Sequence, residues 1–355
     1  MASRSLRKGR HDHHRVSTPL PPLVRGNSPG DSPRPPDFLE DVIPDPDGLP
    51  VGGRLGFFWE TWRDLGASSW IVSGLRKGFR IKFHSQPLLS PVPIPFPPPG
   101  NIRKRVALEK EIASMISKQA VEPAPEGPGY YSRIFVVPKA TGGWRPIIDL
   151  SSLNKFLLVP TFSMETAESI RAAIPPDSWV ASLDLKDAYF HVPVHPSVRK
   201  YLRFAYQNRV WQFKALPFGL SPAPWIFTMV VRELQVLAHR KSIFLHQYLD
   251  DWVVRHLQLQ TLQKHLRSLI SLGLQLGFMF NWAKSDLFPS KDFLFVGYRF
   301  LTELNLVCPS AERAWKIQVL ASPFLRKSVQ PAWLIQSLLG LLSATENWFR
   351  WAGFT

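Results

Sequence analysis

The sequence predicts an α+β fold with an antiparallel sheet, on three observations. Runs of β-branched and aromatic residues come in pairs separated by short turns, the pattern of antiparallel hairpins. Longer segments with apolar residues at helical spacing lie between those pairs. A Pro-rich region precedes them, because half of the 34 prolines fall in the first 100 residues.

Length and charge bound the partners. At 355 residues there is room for one large or two modest domains. Lys and Arg number 43 against 27 Asp and Glu, a net charge of +16 with a pI near 10.1. Such a field favours a polyanion, nucleic acid first and an anionic membrane surface second. A single cysteine, Cys308, excludes an internal disulfide and a cysteine-based zinc site. No apolar stretch approaches the roughly 18 residues of a membrane span, and the N-terminus lacks the core of a signal peptide. An intracellular protein, cytoplasmic or nuclear and not membrane-bound, is expected.

Residues 1–50 mix Pro, Gly, Ser, Arg and Asp with few large apolar groups and read as a largely disordered basic tail. His11, His13 and His14 are solvated there rather than ligating. Residues 51–85 form an aromatic helical module: Leu55, Phe58, Trp59, Trp62 and Leu65 share one helical face, Gly66 stops the helix, and a short helix over 70–76 and a strand over 79–83 follow. Residues 86–100, Pro-rich from position 91, are an extended linker.

Asn101 caps a helix over 103–118, with Val106, Ile112, Met115 and Ile116 facing inward. Residues 131–137 and 144–150 read as strands joined by a turn through Gly142 and Gly143. Lys139 and Arg145 beside that tip suit phosphate, a pattern that is common on its own. Ser163 opens a helix through Ala173, with Glu165 near its positive end. Residues 179–184 alternate like a strand that ends at Asp184, and Asp187 reads as a helix cap. A lone Asp in an apolar strand needs a partner.

Residues 199–205 and 209–213 form a hairpin that turns at Gln207 and Asn208. After a tight turn at Gly219, Ser221 caps a helix whose first residue is Pro222 and which runs to about His239. A strand then leads into Tyr248-Leu249-Asp250-Asp251, and strand character resumes at Trp252. The adjacent acids read either as a polar β-turn or as half of a metal site, since neighbouring carboxylates repel unless a divalent cation neutralises them. A helix over 258–276 ends near Gly277, residues 293–300 are a strand pair or a strand and turn, and the last 50 residues look helical.

Five segments together resemble a family. Trp144-Arg145-Pro146-Ile147-Ile148-Asp149, Asp184 within Leu-Asp-Leu-Lys-Asp-Ala-Tyr-Phe, Leu216-Pro217-Phe218-Gly219-Leu220, Tyr248-Leu249-Asp250-Asp251 and Phe293-Leu294-Phe295-Val296-Gly297-Tyr298 are similar, in order and spacing, to reverse transcriptases. The resemblance covers roughly residues 100–300. The wording of residues 186–193, 216–220 and 281–285, and of Gly53-Arg54-Leu55-Gly56-Phe57-Phe58-Trp59, resembles retrotransposons of the DIRS group, which carry a tyrosine recombinase. A Gypsy-type LTR element is second.

The resemblance implies an α+β right-hand polymerase with an antiparallel palm sheet: fingers and palm over 101–300 and a partial, truncated helical thumb or connection over 301–355. It implies RNA-directed DNA synthesis by two-metal nucleotidyl transfer, with two Mg2+ ions, or Mn2+ as substitute, held by Asp184, Asp250, Asp251 and the carbonyl of Leu185. An all-oxygen carboxylate set suits those hard cations. Lys139 and Arg145 would hold the triphosphate of a deoxynucleotide, Tyr189 would exclude a 2′-hydroxyl and Phe218 would line the nucleotide pocket. Lys284 would protonate pyrophosphate or, equally, be a packing or surface residue. Phe293, Leu294, Gly297 and Tyr298 would form the primer grip, with strand core as the alternative for the two aromatics. The implied partners are an RNA template, a DNA primer–template duplex and deoxynucleoside triphosphates. After Asp292 the acids are Glu303, Glu312 and Glu346, so RNase H and recombinase activities are expected from other segments of the element. The rival is a non-catalytic nucleic-acid-binding remnant. An RNA-dependent RNA polymerase is disfavoured by Tyr189 and the Tyr-Leu-Asp-Asp wording.

Overall fold

The computed structural model describes Leu39 and residues 48–139, 142–325 and 329–343. Most of the 1–50 tail, its three histidines and the closing Trp348 to Trp351 stretch lie outside the described residues.

A 3-10 turn at Arg54–Phe58 leads into helices α1 (Trp59–Asp64) and α2 (Ser69–Lys77). Leu55 and Trp62 are buried, and Phe58, Trp59 and Leu65 pack beside them in the larger of two cores. Residues 79–83 make two isolated bridges, Phe79 to Val194 and Phe83 to Leu157, instead of a strand. Helix α3 (Ile102–Ser117) is capped as expected, the Asn101 side chain accepting from the amides of Arg103 and Lys104. Leu108, Ile112 and Met115 face inward at helical spacing, while Val106 falls off that stripe and is exposed.

Strand β1 (Val121–Pro123) is followed by the hairpin β2 (Ile134–Pro138) and β3 (Trp144–Ile148), whose tip uses Gly142 and Gly143 at φ 87° and 80°. After α4 (Ser151–Asn154), α5 (Ala167–Ala173) starts four residues later than Ser163. Thr166 and Ser169 bond reciprocally there as a capping box, which leaves Glu165 outside the helix. Strand β4 (Trp179–Asp184) ends at Asp184 as expected. Asp187 sits in the cap position of a 3-10 turn (Ala188–His191), but its side chain makes no cap bond and pairs with Lys118 at 2.9 Å.

Helix α6 (Pro196–Arg199) precedes β5 (Arg203–Tyr206) and β6 (Arg209–Phe213), which turn at Gln207 and Asn208, both with positive φ. β6 also pairs with β1. Helix α7 (Ala223–His239) begins after Pro222, which occupies the cap position and has no polar side chain to cap with, and the Ser221 amide donates to Asn154 Oδ1 at 3.0 Å. There follow β7 (Phe244–Tyr248), β8 (Asp251–His256), α8 (Leu259–Gln275), β9 (Asp286–Ser290), β10 (Asp292–Phe295), β11 (Tyr298–Leu301), β12 (Leu306–Pro309), α9 (Ala311–Ala321) and α10 (Ala332–Ser343).

One antiparallel sheet of order β7-β8-β4-β9 organises these parts. Strand alternation sends its residues to two cores. Ala181, Leu183, Trp252 and Val254 join the large core with α7 and α8, whereas Val180 and Val253 join a second cluster with Phe293, Phe295, Tyr298 and Phe300. Helices thus cover one face, and the small sheet β10-β11-β12 covers part of the other. The uncovered end of that second face is where the acids stand.

Candidate active site

The hairpin β7–β8 turns on two residues, Leu249 and Asp250, with Tyr248 paired to Asp251. Leu249 takes φ 56°, a conformation costly for a branched side chain that marks a locally strained turn. In the β4–β8 register Asp184 lies directly opposite Asp251. The Leu185 amide donates to the Asp250 carbonyl at 3.0 Å, which ties the turn to the end of β4. The turn that the sequence suggested is present, and it sets its acids beside the end of β4.

Electrostatics at the cluster are unfavourable as it stands. Asp184 is buried at 8% exposure, and its Oδ1 has no hydrogen-bond partner. Burial raises its pKa above the ordinary carboxylate value, with the Lys284 ammonium opposing and Asp250 adding to the rise. Asp251 is pushed to about 6, first by desolvation among the pocket walls, then by the like charges of Asp250 and Asp184. Lys284 reaches Asp184 Oδ2 at 3.8 Å from a mostly exposed position, a weak countercharge. An orphaned buried carboxylate oxygen and carboxyls held upward in pKa fit an absent cation, and the all-oxygen donor set fits a hard divalent ion. Among the described residues no group of three or more His, Cys, Asp or Glu side chains is arranged to hold a metal ion by itself, the three aspartates included. A magnesium-like ion bound here would complete its shell with water and substrate phosphate, as that ion commonly does.

The segment after α8 braces the site in a way the sequence reading did not foresee. The Asp184 amide donates to Ser285 Oγ at 3.0 Å, and the Asn281 amide donates to the Asp184 carbonyl at 2.7 Å. The Asn281 side chain also acts to lower the Asp184 pKa, against the larger effect of burial. Asn281, Lys284 and Ser285 stand at i, i+3 and i+4, a one-turn spacing that was the available signal. His191 was missed as well. It is fully buried, bonds the Ala188 carbonyl at 3.1 Å through Nδ1 and accepts the Met279 amide at 3.2 Å on Nε2, tying the turn after β4 to the same segment.

Other expected residues divide into two groups. Tyr189 is buried beside the acids, its ring 4.8 Å from that of Phe218, which is 45% exposed. Burial and the Asp250 charge keep the Tyr189 phenol neutral. Leu294 and Gly297 line a cavity of about 290 Å³ together with Asp184, Asp251, Lys284 and Glu312. Phe293 and Tyr298 do not face that cavity. Both rings are buried in the second core, Phe293 stacked on Phe300 at 4.8 Å, because strand alternation turns them away from Leu294. Their burial fits the strand-core alternative given for the two aromatics. Lys139 and Arg145 are exposed on the separate β2–β3 hairpin, with no ion pair to the acids among the described residues.

A four-stranded antiparallel palm sheet with acids at a strand end and at the facing hairpin turn defines an α+β polymerase fold of the right-hand kind. Residues 137–300 match the family model described as reverse transcriptase (RNA-dependent DNA polymerase). The chain is 30% identical over 208 residues to the Pol polyprotein of equine infectious anemia virus, covering 54% of this chain and 17% of that one. It is 25% identical over 174 residues to Protein P of duck hepatitis B virus, covering 47% and 22%. It is 25% identical over 197 residues to the Transposon Tf2-3 polyprotein of Schizosaccharomyces pombe, covering 56% and 14%. This chain therefore spans under a quarter of these relatives. Among solved structures, foamy viral protease-reverse transcriptase in complex with double-stranded DNA superposes with TM-score 0.60 at 18% identity, over 85% of this chain and 54% of that one. The same viral protein with an RNA/DNA hybrid gives 0.58 at 17%, over 85% and 42%. These structural likenesses show the fold.

Proposed function

We propose that this chain is the polymerase portion of a retroelement reverse transcriptase, extending a DNA primer on an RNA template. The observation that carries the reading is the register that sets Asp184 opposite Asp251, with Asp250 in the intervening turn. Asp184, Asp250, Asp251 and the Leu185 carbonyl would hold Mg2+, with Mn2+ as a substitute. The metal supplies charge stabilisation for the attacking and leaving oxygens of phosphoryl transfer. Asp184 is kept in place by Ser285 and Asn281, and the strained Leu249 turn presents Asp250. Tyr189, braced by Phe218, forms the wall under the nucleotide sugar. Lys139 and Arg145 lie on the fingers hairpin, and a closing movement of that hairpin would bring them to the triphosphate. Lys284, already beside Asp184, is the candidate donor to pyrophosphate.

Residues 101–300 are read as fingers and palm and 301–355 as a partial thumb or connection. The DIRS group is the preferred assignment on the wording of residues 186–193 and 281–285, with a Gypsy-type element second. A tyrosine-recombinase reading frame beside the gene would support the former. Primer–template duplex, RNA template and deoxynucleotides are the partners. No helix among the described residues is long and apolar enough to cross a membrane.

The test is primer extension by purified protein on primed RNA with Mg2+ and either deoxy- or ribonucleotides. Deoxynucleotide extension is expected, falling by at least about a thousandfold in Asp250→Asn with duplex binding retained. Binding without extension in the unaltered protein would favour the non-catalytic remnant. Ribonucleotide preference would overturn the role given to Tyr189.

A further inference from the structure

We propose that Arg313 is a positioning residue that couples helix α9 to the turn overhanging the acids; the inference rests on the polymerase reading above. Helix α9 has no buried residue, so apolar packing does not fix it to the body. Its attachment near the site is polar. The Ser310 amide donates to the Gly297 carbonyl at 3.0 Å, and the Ser310 hydroxyl accepts the Arg313 amide at 3.3 Å. The Arg313 guanidinium carbon then lies 4.4 Å from the centre of the Tyr298 ring, in cation–π range.

Gly297 admits that guanidinium. Val296 and Gly297 turn the β10–β11 hairpin at φ 48° and 77°, and a Cβ at Gly297 would stand 3.3 Å from Arg313 Cζ. Arg313 thus rests on the turn backbone as well as on the ring that follows it. The placement is costly, because Arg313 Nη1 is buried with no hydrogen-bond partner. The cation–π contact with Tyr298 offsets part of that cost. The placement also bears on the site, because Leu294, Val296 and Gly297 line the cavity beside Asp184 and Asp251. A displacement of α9 is carried by Arg313 into that wall, and with it into the placement of whatever strand end the cavity holds.

The experiment compares Arg313→Ala, Arg313→Lys, Tyr298→Leu and the double variant Arg313→Ala/Tyr298→Leu in the full chain. Hydrogen–deuterium exchange over residues 294–300 and 310–316 reads the coupling without catalysis. Single-turnover nucleotide addition at saturating duplex, with duplex affinity measured separately, reads its consequence. Arg313→Ala is expected to raise exchange in both segments while leaving α8 unchanged. It should slow addition by about ten- to a hundredfold, the scale of a misplacement near 1 Å, with duplex affinity nearly unaltered. Arg313→Lys should recover part of the rate, since it keeps the charge over the ring but not the guanidinium plane. Arg313→Ala should add nothing to Tyr298→Leu. Unchanged exchange in Arg313→Ala overturns the proposal whether or not the protein polymerises, as do additive effects in the double variant. A failure of the unaltered protein to extend primers would instead remove the polymerase reading.

Discussion

Two titratable residues carry opposite pH signatures. The Asp251 pKa is raised to about 6 in the folded protein, so the group destabilises the metal-free fold above its unfolded value near 4. Stability from this residue falls as pH rises through that window and stays low above it. Asp251→Asn is therefore expected to raise the melting temperature in chelator at pH 7 to 8 while lowering activity. Added Mg2+ should stabilise the variant less than the unaltered protein, and equal stabilisation would remove Asp251 from the metal site. His191 behaves in the reverse sense. Full burial depresses its pKa to about 4 from 6.5, and the nearby Arg54 charge acts in the same direction. The unfolded chain binds the proton first, so stability falls as pH drops from 6.5 to 4, by about 1.4 kcal/mol per unit and about 3 kcal/mol in all. Denaturant melts of His191→Gln across that range should lack this slope relative to the unaltered protein. An identical slope would show that His191 accepts a proton without unfolding.

At the scale of elements, the N-terminal aromatic module is docked on the end of α8. The Trp62 indole donates to the Leu276 carbonyl at 2.9 Å, and Arg54 Nε donates to the Gly277 carbonyl at 3.0 Å. Gly277 ends the helix at φ 91°, and a Cβ there would meet the Phe58 ring at 2.3 Å. Both backbone conformation and close approach require glycine. Gly277→Ala is expected to cost roughly 2–3 kcal/mol in urea unfolding, the sum of a left-handed alanine and a displaced ring. A cost under about 1 kcal/mol would mean that the module yields freely, contrary to its place in the shared core. The same reading places α8 between two tasks, since the segment that follows it supplies Asn281, Lys284 and Ser285 to the acids.

For the whole molecule, the net charge of +16 sets the expected mode of duplex binding. Binding that rests on phosphate contacts releases counterions, so affinity for primed template should fall by about a thousandfold or more between 50 and 200 mM salt, with little dependence on base sequence. Fluorescence anisotropy at several salt concentrations measures the slope. A flat dependence would separate the basic surplus from nucleic-acid binding.

Much of this architecture was legible in the chain because it is locally encoded. The hairpins at Gln207-Asn208 and Tyr248-Leu249-Asp250-Asp251, the Asn101 cap and the stop at Gly277 each depend on a few neighbouring residues, and each was found. Caps were misjudged where other groups intervene: α5 starts at Ala167 behind the Thr166–Ser169 capping box, and the Asp187 carboxylate, though in a cap position, pairs with Lys118. Tertiary structure alone decided which side of β10 and β11 meets the cavity, since alternation fixes that Phe293 and Leu294 point apart but not which way. It also decided the bracing of Asp184 by Asn281 and Ser285, the neutral burial of His191 and the coupling of Arg313 to Gly297, all contacts between residues far apart in sequence or on separate elements. By itself the sequence determined which acids exist and the order in which they occur. The antiparallel register of β4 and β8 determined that they meet, because only pairing across the sheet brings Asp184 and Asp251 to one end of one face.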